Sequence, residues 1–241
     1  MTTLLVTGAN RGIGLGLVKE FLKHGSIGTL IATARDPAKA KDLQAIKDSR
    51  LRVVQLDAEK DESILRAVKE VEQIVGEAGL DVLVNNAGVL HPFDVNGPLE
   101  REKARANFDV NCVGTLLVCM AFGTLMKRTA KVKGHSQIVN VTSFLATLQE
   151  AYGSCPPRYW LAYSMSKAGE NSLTRNLYVD WKAENVWVTS VDPGLVRTDM
   201  THDDGDLTVE ESTSQLSKTI LRLKEEDNGG YFNYAGKPHK W

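Results

Sequence analysis

The chain has no excess of charge of one sign: 29 Lys and Arg stand against 30 Asp and Glu, a formal net charge of −1. With no strong field to draw a polyanion, neither nucleic acid nor a membrane surface is expected as a partner. Cysteine is scarce. Cys112, Cys119 and Cys155 are an odd number without metal-ligand spacing, and the first two fall in an apolar stretch. This excludes a disulfide framework and points to a reduced, cytoplasmic protein. The five histidines are scattered, so no metal site is expected. The opening Met1-Thr-Thr-Leu-Leu-Val-Thr-Gly lacks the charged start and long apolar core of a signal peptide. The longest apolar stretch, 113–126, is shorter than a bilayer span and is interrupted by Gly114, Thr115, Gly123 and Thr124, so it reads as a core helix. Repeats, low-complexity tracts and long linkers are missing too, which leaves one domain over residues 1–241 as the expectation.

What is present is an alternation. Short β-rich apolar runs at 3–7, 28–34, 51–56, 81–84, 136–142, 186–191 and 231–234 are separated by longer, charged, helix-periodic segments. Runs such as Leu4-Leu5-Val6 are continuous rather than alternating, as expected of strands covered by helices on both faces. The pattern predicts an α/β protein with a single doubly wound, Rossmann-type parallel sheet.

Directly after the first strand comes Thr7-Gly8-Ala9-Asn10-Arg11-Gly12-Ile13-Gly14, then a helical segment. Glycines let such a turn approach a pyrophosphate, and free amides at the helix start face the anion. The spacing is not the strict Gly-x-Gly-x-x-Gly fingerprint, and a glycine-rich turn alone also serves as a plain tight turn. The second strand ends Ala32-Thr33-Ala34-Arg35-Asp36. With Ala34 at the position that an acidic residue takes in NAD sites, Arg35 and Arg11 would reach a 2′-phosphate, favouring NADP(H). A strand end displaced by one residue would instead bring Asp36 to the ribose.

The residues Thr7-Gly-x-x-x-Gly-x-Gly14, Asn85-Asn86-Ala87-Gly88, Asn111, Ser143, Tyr163-x-x-x-Lys167 and Pro193-Gly194 occur in one order. Together they resemble the short-chain dehydrogenase/reductase family over essentially the whole chain. Ala34-Arg35-Asp36 and the ending Asn228-Gly-Gly-Tyr-Phe-Asn-Tyr resemble its sniffer-type carbonyl reductases most. The resemblance implies that Asn86, Ala87 and Gly88 line the cofactor, as do Pro193, Gly194 and Val196. It further implies that Asp57 meets the adenine, Thr198 the nicotinamide amide, and that Asn111 holds a water connecting Lys167 to solvent. Taken singly, these residues read equally well as turn, N-cap or satisfied helix positions.

Reduction of a carbonyl creates an oxyanion, which needs a proton donor and a polar partner. Tyr163 can donate and Ser143 can hold. Lys167, one helical turn from Tyr163, supplies a charge that favours the ionised phenol. The same spacing recurs at Tyr178 and Lys182, read as a packing residue and a solvated one deep in the helix. Twenty positions separate Ser143 from Tyr163, more than the family usually has, because of the segment 149–159. The expected partners are a small carbonyl compound (an aldehyde, ketone or quinone by resemblance) and a second copy of the chain, packed through 113–126 and 168–181. A polar, acidic run at 201–214 reads as a mobile lid. Two alternatives stay open: an NADP(H)-sensing module without turnover, and an alcohol or hydroxysteroid dehydrogenase working towards oxidation.

Overall fold

The computed structural model describes residues 1–148 and 159–241. Seven strands form one sheet: β1 (Thr2–Val6), β2 (Ile27–Ala34), β3 (Leu51–Gln55), β4 (Val82–Asn85), β5 (Ser136–Val141), β6 (Val186–Asp192) and β7 (Tyr231–Asn233). All pair in parallel, in the order β3-β2-β1-β4-β5-β6-β7. Each lies within one residue of its expected bounds. Between them run α1 (Gly12–Leu22), α2 (Lys41–Gln44), α3 (Asp61–Val75), α4 (Arg101–Phe108), α5 (Thr115–Lys133), α6 (Leu161–Trp181) and α7 (Val209–Arg222).

Alternate side chains of the first six strands feed two separate cores. Leu4 and Val6 of β1 pack with Leu17, Val18 and Phe21 of α1 and Leu216 and Ile220 of α7. Leu5, between them, points the other way, into a cluster with Ile64 and Val71 of α3, Phe122 and Leu125 of α5 and Leu177 of α6. A strand rises with a side-chain period of two, so a continuous apolar run satisfies both faces at once. Helices covered on one side only show it in their sequence: α3 places Ile64, Ala67 and Val71 inward and starts with Asp61 and Glu62, whose charges suit the helix dipole.

The 113–126 stretch belongs to a longer helical run than its composition suggested. A π-helical segment, Asp109–Gly114, joins α4 to α5, making Arg101–Lys133 continuous. By length and composition that run could cross a membrane, and half of its most apolar window is buried inside the protein. The strand order reverses between β1 and β4, so the connections after these strands part to opposite sides and open a crevice at their carboxyl ends.

Candidate active site

The crevice, about 1240 Å³, runs from Arg35 and Lys39 at one end to Tyr163 and Lys167 at the other. Gly8, Asn10, Arg11, Gly12, Ile13, Gly14, Asp57, Asn86, Ala87, Gly88, Pro193 and Thr198, all candidate cofactor residues, also line it. Its middle passes the start of α1. There Arg11 is extended, its side chain makes no capping bond, and the first turn holds no acidic residue, so the opening amides of the helix lack an internal acceptor. The tight turn before it leaves no room for side chains. A Cβ on Gly14 would fall 2.3 Å from the Gly8 carbonyl and 2.5 Å from Asn86 Nδ2.

The turn is tied to the end of β4 rather than left to a ligand. Asn86 Nδ2 donates to the carbonyls of Thr7 (2.9 Å) and Gly8 (3.1 Å), while Thr7 Oγ1 accepts from the amides of Asn86 (2.9 Å) and Ala87 (3.0 Å). Asn86 thus shapes the crevice wall instead of presenting its amide outward. Thr7, absent from the expected site residues, is the hub of this link.

At the far end, β2 stops at Ala34, as read from the sequence. Asp36 is drawn to Lys39 (3.1 Å), and that contact holds its carboxyl below the usual carboxylate range. Arg35 lies 3.6 Å from Glu59 and faces the crevice. Arg11 lines the crevice too, its exposed guanidinium pairing with Asp199 (2.9 Å), beside Thr198. Lys39 brings a second cation to this end, one that the sequence did not flag because it sits past a short turn at Pro37.

Gly194 and Val196 do not line the crevice. Gly194 packs against Leu207 and Tyr234, and buried Val196 forms a bridge with Leu207. That bridge revises the lid. Arg197 N donates to the Leu207 carbonyl (2.9 Å), and Asp206 N and Leu207 N both donate to Leu195. Thr208 and Glu211 then close a capping box, and Val209 onward is α7, with Ser212 and Thr213 buried. Residues 209–214 are therefore part of a packed helix, not of a loop.

Tyr163 and Lys167 sit on one face of α6, both buried. Lys167 Nζ donates to the Val141 carbonyl (2.8 Å) at the end of β5 and to Glu170 Oε2 (2.7 Å). Burial opposes its charge, but Glu170 and Tyr163 hold the ammonium above the ordinary lysine range. Burial likewise pushes the Tyr163 phenol up, while the Lys167 charge and a hydrogen bond with Ser143 pull it down. Ser143 lies two residues past β5 in extended backbone, its Oγ accepting from Leu145 N (3.2 Å), beside the crevice rather than in its lining. Asn111 sits in the π-helical segment. Its amide is used by both backbone atoms of Val89 (2.8 and 2.9 Å) and by Ser166 Oγ (3.0 Å). It still borders the site: a Cβ on Gly88 would stand 3.2 Å from Asn111 Oδ1 and 3.7 Å from Lys167 Nζ.

The second Tyr-x-x-x-Lys pair is elsewhere. Tyr178 lies in the last turn of α6, not deep within it, with its ring against Gly229 and under the Arg175 guanidinium at 5.3 Å. Cys155 and nearly all of the 149–159 segment lie outside the described residues.

Residues 2–207 match the short chain dehydrogenase family. The chain is 30% identical to norsolorinic acid ketoreductase of Dothistroma septosporum, over 96% of this chain and 88% of that one. Among solved structures, carbonyl reductase Sniffer of D. melanogaster superposes with a TM-score of 0.93 at 32% identity, covering 100% of both chains. The NADPH-bound carbonyl reductase from chicken fatty liver gives 0.93 at 32% identity, over 100% of this chain and 94% of that one. The chain belongs to the short-chain dehydrogenase/reductase family and is an oxidoreductase.

Proposed function

From that membership, we propose that the protein reduces a carbonyl group of a small aldehyde, ketone or quinone at the expense of NADPH, with Tyr163 as proton donor. The observation that carries this reading is the single crevice joining Tyr163 and Lys167 to the uncapped start of α1 and to Arg35 and Lys39. The residues fit a dinucleotide phosphate: free helix amides at mid-length suit a pyrophosphate, and paired cations at the far end suit a 2′-phosphate. The Asp36 carboxylate, engaged by Lys39, is poorly placed to select a free ribose diol instead. The similarity to an NADPH-bound carbonyl reductase supports the same choice.

When bound, NADPH supplies the hydride that reaches the carbonyl carbon. The Tyr163 hydroxyl gives its proton to the oxyanion formed there, and Ser143 holds that oxygen through its own hydroxyl. Lys167 steadies the tyrosinate that remains. Val89, Val110 and Val141 add apolar wall to the crevice, beside the polar Thr142 and Lys167. A panel of aldehydes, ketones and quinones, followed by loss of NADPH absorbance, tests the reading. Turnover of none of them, or turnover with NADH alone, overturns it.

The chain is also taken to pair with a second copy. Val113, Met120 and Val179 are exposed within 113–126 and 168–181, and Met165 is exposed one turn ahead of the second segment. Such apolar surface on neighbouring helices favours an isologous contact.

A further inference from the structure

Glu170 is a buried carboxylate inside the catalytic neighbourhood, and the proposed reaction gives it no task. It follows Tyr163 by seven residues and Lys167 by three, so two turns of α6 bring all three side chains to one face. The Lys167 and Glu170 side chains are 5% and 1% exposed and their charged atoms 2.7 Å apart. What seals the pair is the approach of the π-helical segment. Cys112 Sγ lies 2.9 Å from where a Cβ on Gly169 would stand, so the glycine lets that segment approach α6 closely.

A lysine without a counter-ion exerts its full field on a neighbouring phenol and favours tyrosinate. A lysine paired at 2.7 Å is one half of a neutral dipole, whose field falls off faster with distance. Carbonyl reduction requires the phenol, the form that still carries the proton to be given. Accepting the reductase reading above, we propose that Glu170 is a positioning residue that acts through Lys167, fixing its ammonium against Val141 and cancelling enough of its charge to keep Tyr163 a phenol. The pH range over which the site can deliver a proton is thereby extended upward.

The other titratable groups around Glu170 do not compete for this role. Cys112, from the π-helical segment, and Cys119, from α5, are both pushed up by burial, Cys119 to about 12, and stay neutral thiols. Asp192, at the end of β6, acts in the same sense as Glu170 on Tyr163, but it is shared with His239 at 3.3 Å.

The test is a spectroscopic titration of the protein without ligand. Subtracting the ultraviolet spectrum of Tyr163→Phe from that of the parent isolates the ionisation of Tyr163. In the Glu170→Gln background, which keeps the hydrogen-bond acceptor and removes the charge, the Tyr163 midpoint is expected to fall by at least about half a pH unit, roughly threefold more tyrosinate at a given pH. Glu170→Asp should restore most of the shift. The alkaline limb of the reduction rate should move down with the titration. An unchanged or raised midpoint in folded Glu170→Gln overturns the proposal. If that variant does not fold, the unsubstituted protein decides: a Tyr163 midpoint well below the ordinary phenol value of about 10 is incompatible with it. Because the titration needs no turnover, its failure is distinct from failure of the substrate panel.

Discussion

The Tyr231 hydroxyl donates to the Ser143 carbonyl at 2.6 Å, joining β7 to the end of β5 across 88 positions of sequence. Tyr231 is buried, and His239 and Trp241 lie against its ring at 4.7 and 5.4 Å. The last strand of the sheet thus sets the backbone that carries the proposed oxyanion partner. Tyr231→Phe would remove one of two donors to a buried carbonyl, which keeps Ala146 N at 2.8 Å, costing about 0.5–1.5 kcal/mol of stability. Denaturant unfolding together with kcat should show both the loss and a several-fold drop in turnover; a stable variant with unaltered kcat would separate Tyr231 from the site.

The duplicated Tyr-x-x-x-Lys spacing provides an internal control. Tyr163→Phe removes only a hydroxyl and should lower kcat by roughly 100- to 10,000-fold, as expected for losing general acid catalysis, with NADPH affinity little changed. Tyr178→Phe should leave turnover nearly intact, because that ring packs on Gly229 away from the crevice. Both variants would be assayed under saturating NADPH after circular dichroism confirms folding. The opposite pattern would relocate the active site.

Cofactor preference should reside in the Arg35 end. Arg35→Asp is expected to narrow or reverse the preference for NADPH over NADH, changing the ratio of Kd values roughly 10- to 100-fold, the range of one or two charge-assisted contacts. Lys39→Ala should act in the same direction and less strongly. Arg11→Ala, whose guanidinium is held by Asp199, should weaken both cofactors alike. Titration calorimetry distinguishes these outcomes, and equal binding of the two cofactors by the parent protein would refute the preference.

The Glu170 carboxyl also has a consequence for stability against pH. Burial raises it from 4.5 to about 7, against the pull of Lys167. Between those values the folded protein keeps a proton that the unfolded chain has released; above them, where Tyr163 gives up its own proton, Glu170 is the carboxylate that pairs with Lys167. This group's contribution is therefore fully present below pH 4.5 and declines as pH rises towards 7, by at most about 1.4 kcal/mol per pH unit. Unfolding free energies measured at several pH values across that window should decline less steeply in Glu170→Gln than in the parent. Parallel curves would show that Glu170 does not titrate there.

If the exposed face of α5 meets a second chain, light scattering at micromolar concentration should report twice the 26.5 kDa chain mass. Met120→Glu should return the protein to single chains while preserving its fold. A 26.5 kDa species from the parent would reject pairing.

Most of the fold was legible because continuous apolar runs have few uses other than two-sided strands, and the strand ends located the crevice. What escaped the sequence was commitment. Nothing local distinguishes an Asn86 that faces a ligand from one that donates to Thr7 and Gly8, nor an Arg11 aimed at phosphate from one held by Asp199. Nothing local marks Glu170 as buried either, because the π-helical segment that packs against α6 is invisible in residue periodicity. The lid was misjudged for another reason. The acidic run ahead of it drew attention from Thr208-Val-Glu-Glu211, a capping-box pattern that announces a helix.

The crevice takes its lining from residues as far apart as Gly8 and Val209, so a dinucleotide seated in it clasps the first strands of the sheet to α6 and to the segment after β6. Whatever binds the folded chain and not the unfolded one shifts their balance: at one hundred times its Kd, by about 2.7 kcal/mol, or roughly a hundredfold fewer opened molecules. Proteolysis acts on those opened molecules. The lifetime of the protein in a cell would then follow the supply of its own reductant, long when the nucleotide pool is full and short when it is drained.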